Sequence, residues 1–220
     1  REVAMREGCA VHAYVLMTNH VHLLVTPMTE GAIGRVMQSL GRRYVRYIND
    51  RYRRTGTLWE GRYKACLVEN GAHLMRCHRY IELNPLRAAM VIDPGDYPWS
   101  SHRSNAYGEY DPLVSQHAGY LSLSSNPTER QRVYRALVME TVGPDEVDVI
   151  RRHVQCQHAY GSNRFRAVIE ARLGRSAGPR KIGRPKKSDE TQGNRERPLG
   201  PWFSAWKLGD AVRDQVALVR

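Results

Sequence analysis

The 220-residue chain lacks the features that mark secreted, zinc-stabilised or membrane-spanning proteins. Its four cysteines, at positions 9, 66, 77 and 156, are scattered and form no Cys-x-x-Cys pair. This pattern argues against both a disulfide framework and a structural zinc site, and it favours a reducing cytoplasm. No apolar run approaches the ~18 residues of a membrane span, and no signal peptide opens the sequence. We therefore expect a cytoplasmic protein without a membrane partner.

Acidic residues are scarce relative to basic ones. The chain has 22 Asp and Glu against 34 Lys and Arg, a formal net charge of +12. Such an excess favours a polyanionic partner, of which nucleic acid is the commonest. The alternative is a basic surface that serves only solubility, and the clustering of the arginines argues against it. Hydrophobic residues make up 41% of the chain, which is enough for a core.

Two short segments near the start predict an antiparallel hairpin. Apolar residues alternate with others through residues 11–17 and again through 20–25, with a tight turn at 18–19. On the second strand, His20 and His22 point to the same face, with Cα atoms about 6.5 Å apart. Two imidazoles so placed can converge on one divalent ion. Ordinary hydrogen-bonded histidines are the alternative, although the apolar setting supplies no obvious polar partner.

Elsewhere the hydrophobic period is that of helices. Helices are predicted from 29 to about 54 and from 70 to 84, with a short strand, KACLVE, between them. Further helices are predicted at about 127–141, opened by Asn126-Pro127, at 145–157, and at 162–173, opened by Ser162. This mixture predicts an α+β fold, an antiparallel sheet with helices packed on one face, followed by a small helical accessory region. Tyr44 and Tyr47 fall on an apolar stripe, so we assign them to the core.

The end of the chain has a different amino-acid composition. Residues 175–187 contain six basic residues and no acidic one, which predicts a disordered basic arm. The last stretch, from residue 201 to residue 220, is compatible with one short helix.

A basic, aromatic-rich segment is a candidate DNA-binding surface. Residues 35–64 contain nine Arg or Lys and only two acidic residues. Arginines neutralise phosphates, and aromatic rings stack on unpaired bases. A solvated helix with inward-facing tyrosines is the alternative. The residues predicted to contact DNA, from this segment and the helix after it, are Arg42, Arg43, Arg46, Trp59, Arg62, Tyr63, Lys64 and Arg76.

The helix within RCHRYIELNP carries a candidate nucleophile. His73, Arg76, Tyr80 and Asn84 follow each other at spacings of three, four and four, and they form a polar seam off the apolar stripe. A tyrosine in such a seam is usually a rim residue. A phenol with a pKa of ~10 becomes a useful nucleophile only when a metal or cation stabilises its anion. A histidine-bound metal supplies that help, and Asn84 offers a carbonyl oxygen as a third ligand.

Five segments in a fixed order carry a family resemblance. They are HAYVLMTNHVHLLVTP, MQSLGRRYVRYIND, GTLWEGRYKACLVEN, RYIELNPLRAAMV and DYPWSS. Together they resemble the single-tyrosine HUH transposases, and among these the REP-associated tyrosine transposases of bacteria. A weaker resemblance continues through GSNRFRAVIEARLGR and RKIGRPKK.

The resemblance implies a domain organisation. We expect an HUH, ferredoxin-like α+β transposase domain over residues 1–110 and a helical accessory DNA-binding region over 111–174. Residues 175–220 are expected to form a basic, largely disordered tail. Relatives have an opening strand and a helix before the equivalent of Cys9, so we expect a central strand of the sheet to be missing.

The resemblance also implies a chemistry. His20 and His22 would bind Mg²⁺ or Mn²⁺, with Asn84 where related transposases have a glutamine, and Tyr80 would be the nucleophile. Such enzymes cleave single-stranded DNA at hairpin-forming palindromic repeats and rejoin it through a 5′-phosphotyrosine, as monomers or homodimers. One alternative is a truncated or domesticated hairpin-DNA-binding protein without activity. Another is a metal-dependent hydrolase that uses activated water.

Overall fold

The computed structural model describes residues 1–140, 144–174, 176–178 and 216–220, and within them four strands form one antiparallel sheet. The strands occur in the spatial order β1-β2-β4-β3, and each neighbouring pair is antiparallel. The hairpin and the short strand after it are therefore confirmed. The strand bounds are β1 Cys9–Leu16, β2 Val21–Pro27, β3 Ala65–Val68 and β4 Val216–Val219.

Helices make up most of the remaining described structure. Two helices of the accessory region begin where capping chemistry predicts. The Asn126 side chain accepts a hydrogen bond from the Glu129 N–H at 3.1 Å, and Ser162 accepts one from Phe165 at 3.1 Å. The helix bounds are α1 Glu2–Arg6, α2 Ala32–Tyr52, α3 Ala72–Glu82, α4 Asn84–Arg87, α5 His102–Tyr107, α6 Ala118–Leu121, α7 Pro127–Met139, α8 Pro144–Cys156 and α9 Asn163–Leu173.

The α+β prediction is confirmed, but the helices cover both faces of the sheet and not one. On one face, Val3 of α1 and Ile33 of α2 share a buried cluster with alternate residues of β2 and β4. On the other face, Leu74 of α3 and Ile150 of α8 share a cluster with the remaining strand residues. The reason lies in the strands themselves, because all four residues of both β3 and β4 are buried. Strands that are apolar on both sides need a helical layer on each.

A β-bulge at His12 divides strand β1 between the two layers. Val11 pairs with Val25, whereas the next paired residue is Ala13, opposite Leu24. Val11 consequently packs in the α1–α2 layer and Ala13 in the α3 layer. The regular alternation predicted through this strand is thus wrong by one residue, as expected for an extra residue on one strand.

Strand β4 lies between β2 and β3, in the middle of the sheet. Leu218 pairs with Leu24 on one side and with Cys66 on the other. The predicted terminal helix is therefore wrong for residues 216–219, and the expectation of a disordered tail does not hold there. A sheet expected to lack a central strand has one, supplied from the far end of the sequence. The predicted basic arm, apart from residues 176–178, and the stretch from 198 to 215 lie outside the described residues.

Helices predicted to form an accessory region pack directly on the helix that bears Tyr80. Val147 and Val154 of α8 belong to the same buried cluster as Tyr80. From α7, Tyr134 packs in a separate cluster with Leu83, the residue that follows α3. Helix α3 is therefore enclosed by the sheet on one side and by later helices on the others.

Candidate active site

The paired histidines lie at the end of the turn that joins β1 to β2, where β2 begins. The Met17 N–H donates to the carbonyl of His20 at 2.8 Å, which closes the turn. The ring centres of His20 and His22 lie 5.0 Å apart, with their planes at 80°. The tertiary structure therefore keeps both imidazoles together on the face of the sheet that α3 covers.

His22 is the buried member of the pair, with 1% of its surface exposed. Its Nδ1 has no hydrogen-bond partner within the described residues, and its Nε2 lies 3.5 Å from the hydroxyl oxygen of Tyr80. Burial, followed by the charges of His20 and Arg220, lowers the pKa of His22 to about 3. The ring is therefore neutral at neutral pH, which is the form that binds metals.

His20 is half-buried and has a local partner. Its Nδ1 hydrogen-bonds to Oδ1 of Asn19 at 2.6 Å, which leaves Nε2 as the nitrogen with a lone pair. Burial, with smaller contributions from the charges of Arg220 and Arg151, lowers the pKa of His20. Both histidines are therefore held neutral by the fold.

Tyr80 is a core residue, and its placement at the rim of its helix is wrong. Only 3% of its surface is exposed, and its ring centre lies 5.1 Å from that of His22. The polar seam is covered because the sheet and the later helices enclose α3 from several sides. Burial raises the pKa of Tyr80, although the charges of Arg151 and Arg220 act in the opposite direction.

Arg87 adds a cation that sequence reasoning missed. Its guanidinium carbon lies 5.2 Å from the centre of the Tyr80 ring, within cation–π range. Its Nη2 donates to the Tyr80 carbonyl oxygen, while Nε and Nη1 have no partner among the described residues. Burial lowers the pKa of Arg87 to about 10, so it stays charged at neutral pH. The only sequence signal was its position seven residues after Tyr80.

A buried carboxylate anchors α3 at the turn that carries Tyr80. Glu82 is fully buried and accepts hydrogen bonds from Ser101 at 2.6 Å and Asn105 at 2.8 Å. It also accepts one from Tyr134 at 2.8 Å and contacts Nδ1 of His102 at 3.1 Å. Burial alone would raise the pKa of Glu82, but these hydrogen bonds and the nearby histidines lower it. The network fixes the rotation of α3 and hence the direction of the Tyr80 side chain.

Asn84, the predicted third metal ligand, is half-buried at the start of α4. Neither predicted histidine ligand hydrogen-bonds to it within the described part of the chain, where their partners are Asn19 and Tyr80. Among the same residues, no group of three or more His, Cys, Asp or Glu side chains could hold a metal ion. Two neutral imidazoles, one with an unpartnered buried nitrogen, nevertheless fit two positions of a divalent-ion site.

The predicted DNA-binding arginines of α2 lie in the layer opposite Tyr80. Arg42, Arg43 and Arg46 are all exposed. Two of them form only loose ion pairs with exposed acidic side chains. The nitrogen–oxygen distance is 3.5 Å from Arg43 to Glu2 and 3.7 Å from Arg46 to Asp50. Such exposed pairs contribute little and leave the charges available to phosphates.

Tyr44 and Tyr47 are exposed, and their assignment to the core is wrong. Their exposed fractions are 51% and 62%. Helix α2 buries only Ala32, Ile33 and Val36, all in its first half, so among the described residues the apolar stripe of its second half is left largely uncovered. Exposed tyrosines among arginines form a surface on which unpaired bases can stack.

The other predicted DNA contacts are spread over two regions. Trp59 lies 6.0 Å from Tyr44, measured between ring centres, and lies against Gly41, where a Cβ would be 3.3 Å from its Nε1. Arg76 lies on α3 and pairs with Glu146 at 3.1 Å, which partly neutralises its charge. Arg62 and Lys64 are exposed, and Tyr63 packs partly against the α1–α2 layer.

The fold and the site together define a class. An antiparallel sheet bears two histidines at the start of β2, one of which contacts a tyrosine on a packed helix, which is an HUH-type α+β arrangement. Residues 1–84 match the model of a family described as IS200-like transposase. The matched segment, which is similar to IS200-like transposases, contains His20, His22, Tyr80 and Asn84. Neither a curated protein nor a solved structure matches the chain.

One further structural property bears on its surroundings. Within the described ranges, no helix is both long and apolar enough to cross a bilayer.

Proposed function

We propose that this transposase cleaves and rejoins single-stranded DNA through a covalent bond to Tyr80, at hairpin-forming repeats. The observation that carries the proposal is the meeting of Tyr80 with His22, 3.5 Å apart, inside the segment that matches the transposase family. The two residues are 58 positions apart in the chain. The contact therefore requires the whole β2–α3 packing and does not follow from local sequence.

The chemistry is a transesterification at phosphorus. The phenol oxygen of Tyr80 forms a bond to phosphorus, and the bond from phosphorus to the 3′ oxygen breaks. The phenol loses its proton and the 3′ oxygen gains one, which leaves a 5′-phosphotyrosine and a free 3′-OH. Rejoining is the reverse reaction, so no ATP is needed. Arg87, held against the Tyr80 ring, stabilises the phenolate by its charge.

His20 and His22 are the residues that would bind a Mg²⁺ or Mn²⁺ ion, with the Asn84 carbonyl as the oxygen ligand. The support is the neutral state of both imidazoles and the unpartnered Nδ1 of His22. An ion bound there would polarise the phosphate and stabilise the phenolate.

Hairpin recognition would use the outer surface. Exposed arginines neutralise the phosphates of a stem, and exposed aromatic rings accept unpaired bases. The second half of α2 presents both kinds of side chain, with Arg42 and Arg46 beside Tyr44 and Tyr47. The wild-type chain would bind such DNA as a monomer or a homodimer.

The test is a denaturing-gel assay for a protein–DNA adduct. The substrate is an end-labelled pool of single-stranded hairpins that share a palindromic stem and have randomised flanks, incubated with Mg²⁺ or Mn²⁺. Wild type is compared with Tyr80→Phe, and Tyr110→Phe is the matched control because Tyr110 is 85% exposed. We expect label at protein size with wild type and Tyr110→Phe and none with Tyr80→Phe.

Variants of the histidines separate catalysis from binding. His20→Ala and His22→Ala are expected to abolish the adduct and to leave hairpin affinity within about a few-fold of wild type, because phosphate contacts dominate affinity. Loss of binding in step with loss of cleavage would assign these histidines a structural role.

A second candidate function is hairpin binding without cleavage. It is favoured by the burial of Tyr80, whose hydroxyl has to become accessible before DNA can reach it. Tight binding by folded wild type without any adduct would establish this second function. Free 5′-phosphate ends that persist in Tyr80→Phe would instead indicate hydrolysis by activated water.

A further inference from the structure

The register of β4 places a cation beside the candidate active site. Leu23 of β2 pairs with Val219 of β4 in an antiparallel register, so the next residue, Arg220, falls opposite His22. Side chains directly opposite each other in such a pair share a face of the sheet. On its other side, the backbone N–H of Arg220 donates to the Lys64 carbonyl and that of Lys64 donates to the Arg220 carbonyl, both at 2.8 Å. The backbone of Arg220 is therefore held in the sheet, directly beside His22.

Helix α8 brings a second cation to the same place, because the Arg151 side chain lies within hydrogen-bonding reach of the Tyr80 hydroxyl. One turn of this helix contributes Ile150 and Val154 to the core cluster that contains Tyr80. Arg151 follows Ile150, and its side chain is 52% exposed at the boundary of that cluster. Its ion pair with Asp148, at 3.3 Å between two exposed side chains, is of the weak surface kind. Arg151 therefore remains available to an incoming anion.

The two arginines act on the same three groups. The charges of Arg151 and Arg220 both lower the pKa of His20, of His22 and of Tyr80. Within the described structure, no carboxylate is among the main influences on the pKa of these three groups. Two guanidinium groups thus contribute positive charge to the candidate active site.

We propose that Arg151 and Arg220 together bind a DNA phosphate at the site formed by His22 and Tyr80. The inference rests on the proposed function, and it names the residues that hold the substrate there. A guanidinium group matches a phosphate with two parallel hydrogen bonds, and two such groups from different elements fix the phosphate against the tyrosine.

The proposal assigns a function to parts of the chain outside the family match. Residues 1–84 supply the histidines and the tyrosine, whereas α8 and β4 supply the phosphate-binding arginines. Strand β4 therefore has two roles, because it fills the centre of the sheet and carries Arg220 to the site. Displacing the strand would remove both.

The experiment measures the binding of a minimal phosphodiester, so it needs no knowledge of the DNA sequence recognised. The ligand is the dinucleotide of two thymidines joined by one phosphate, titrated against the full chain by saturation-transfer NMR. Its methylphosphonate analogue has the same shape without the negative charge. We expect wild type to bind the phosphodiester at least about tenfold more tightly than the analogue, since the analogue lacks the charge that strengthens hydrogen bonds to the guanidinium groups.

Matched variants assign the binding to the two arginines. Arg151→Ala and Arg220→Ala are each expected to weaken phosphodiester binding about tenfold and to leave binding of the analogue unchanged. Arg152→Ala is the control, because Arg152 is exposed on the same helix and its substitution removes the same charge. Arg151→Lys should recover part of the affinity. Because the Arg151 side chain is 52% exposed and its ion pair is of the weak surface kind, we expect its variants to fold, so they test the proposal even if Arg220→Ala unfolds the protein.

Failure of this proposal differs from failure of the proposed function. Equal affinities for Arg151→Ala and Arg152→Ala, or no wild-type binding at millimolar dinucleotide, would overturn the arginine site even if the Tyr80 adduct forms. Arginine-dependent dinucleotide binding without any adduct would support the arginine site and count against cleavage.

Discussion

Leu218 offers the sharpest test of the central strand. Its side chain is fully buried, and it pairs with Leu24 on one side and Cys66 on the other. Leu218→Ala removes three carbon atoms, each worth about 0.8 kcal/mol when buried. The cavity left between two paired strands and α3 adds about 1–2 kcal/mol, since a sheet interior collapses poorly around a void. We expect the free energy of unfolding to fall by about 4 kcal/mol.

The assay is urea-induced unfolding followed by fluorescence and by circular dichroism. The matched control is Ile92→Ala, because Ile92 is 94% exposed and loses similar apolar atoms without leaving a cavity. The control should change stability by less than about 0.5 kcal/mol. For Leu218→Ala, the midpoint should fall while the slope stays constant, which indicates a change in stability and not in compactness.

A clear result would refute the reasoning. If Leu218→Ala shifts the unfolding midpoint no more than Ile92→Ala does, then β4 is not packed between β2 and β3 in solution. The proposed placement of Arg220 beside His22 would then also be lost.

Three further predictions concern the network, the buried histidines and the aromatic surface. Glu82→Ala removes the carboxylate that four buried side chains contact and should cost about 3–5 kcal/mol in urea unfolding, whereas exposed Glu129→Ala should cost little; equal effects would contradict the network. Burial lowers the pKa of both His12 and His78 to about 4, from 6.5. The unfolded chain therefore binds more protons, so stability should be complete above pH 6.5 and fall as the pH drops towards 4; a flat profile in pH-dependent unfolding would refute this. Tyr47→Ala should lower affinity for a hairpin with unpaired bases about tenfold by fluorescence anisotropy, with unchanged stability, and unchanged affinity would remove this ring from the DNA surface.

The secondary structure was largely predictable because local patterns carry it. The alternation around His20 and His22 predicted the hairpin, and the capping residues Asn126 and Ser162 predicted where two helices begin. The pairing of the two histidines on one face follows from strand geometry alone. For these features, information within about ten residues was sufficient.

The burial of tyrosines was not predictable from helical periodicity. Periodicity identifies an apolar stripe but not which stripe finds a partner. Tyr80 was placed off its stripe and is buried, because several elements surround α3. Tyr44 and Tyr47 were placed on a stripe and are exposed, because α2 buries residues only in its first half.

The sequence by itself determined the chemical inventory, namely two histidines on one strand, a tyrosine and an asparagine on a later helix, and an excess of arginine. Only the tertiary structure decided which of these meet. The 3.5 Å approach of Tyr80 to His22 depends on how α3 packs on the sheet. The central position of β4 depends on a register between strands nearly 200 residues apart. Local propensity is weak for a four-residue apolar segment. Such a strand is therefore specified by the unpaired edges of β2 and β3, which it joins. These edges exist only once the rest of the chain has folded.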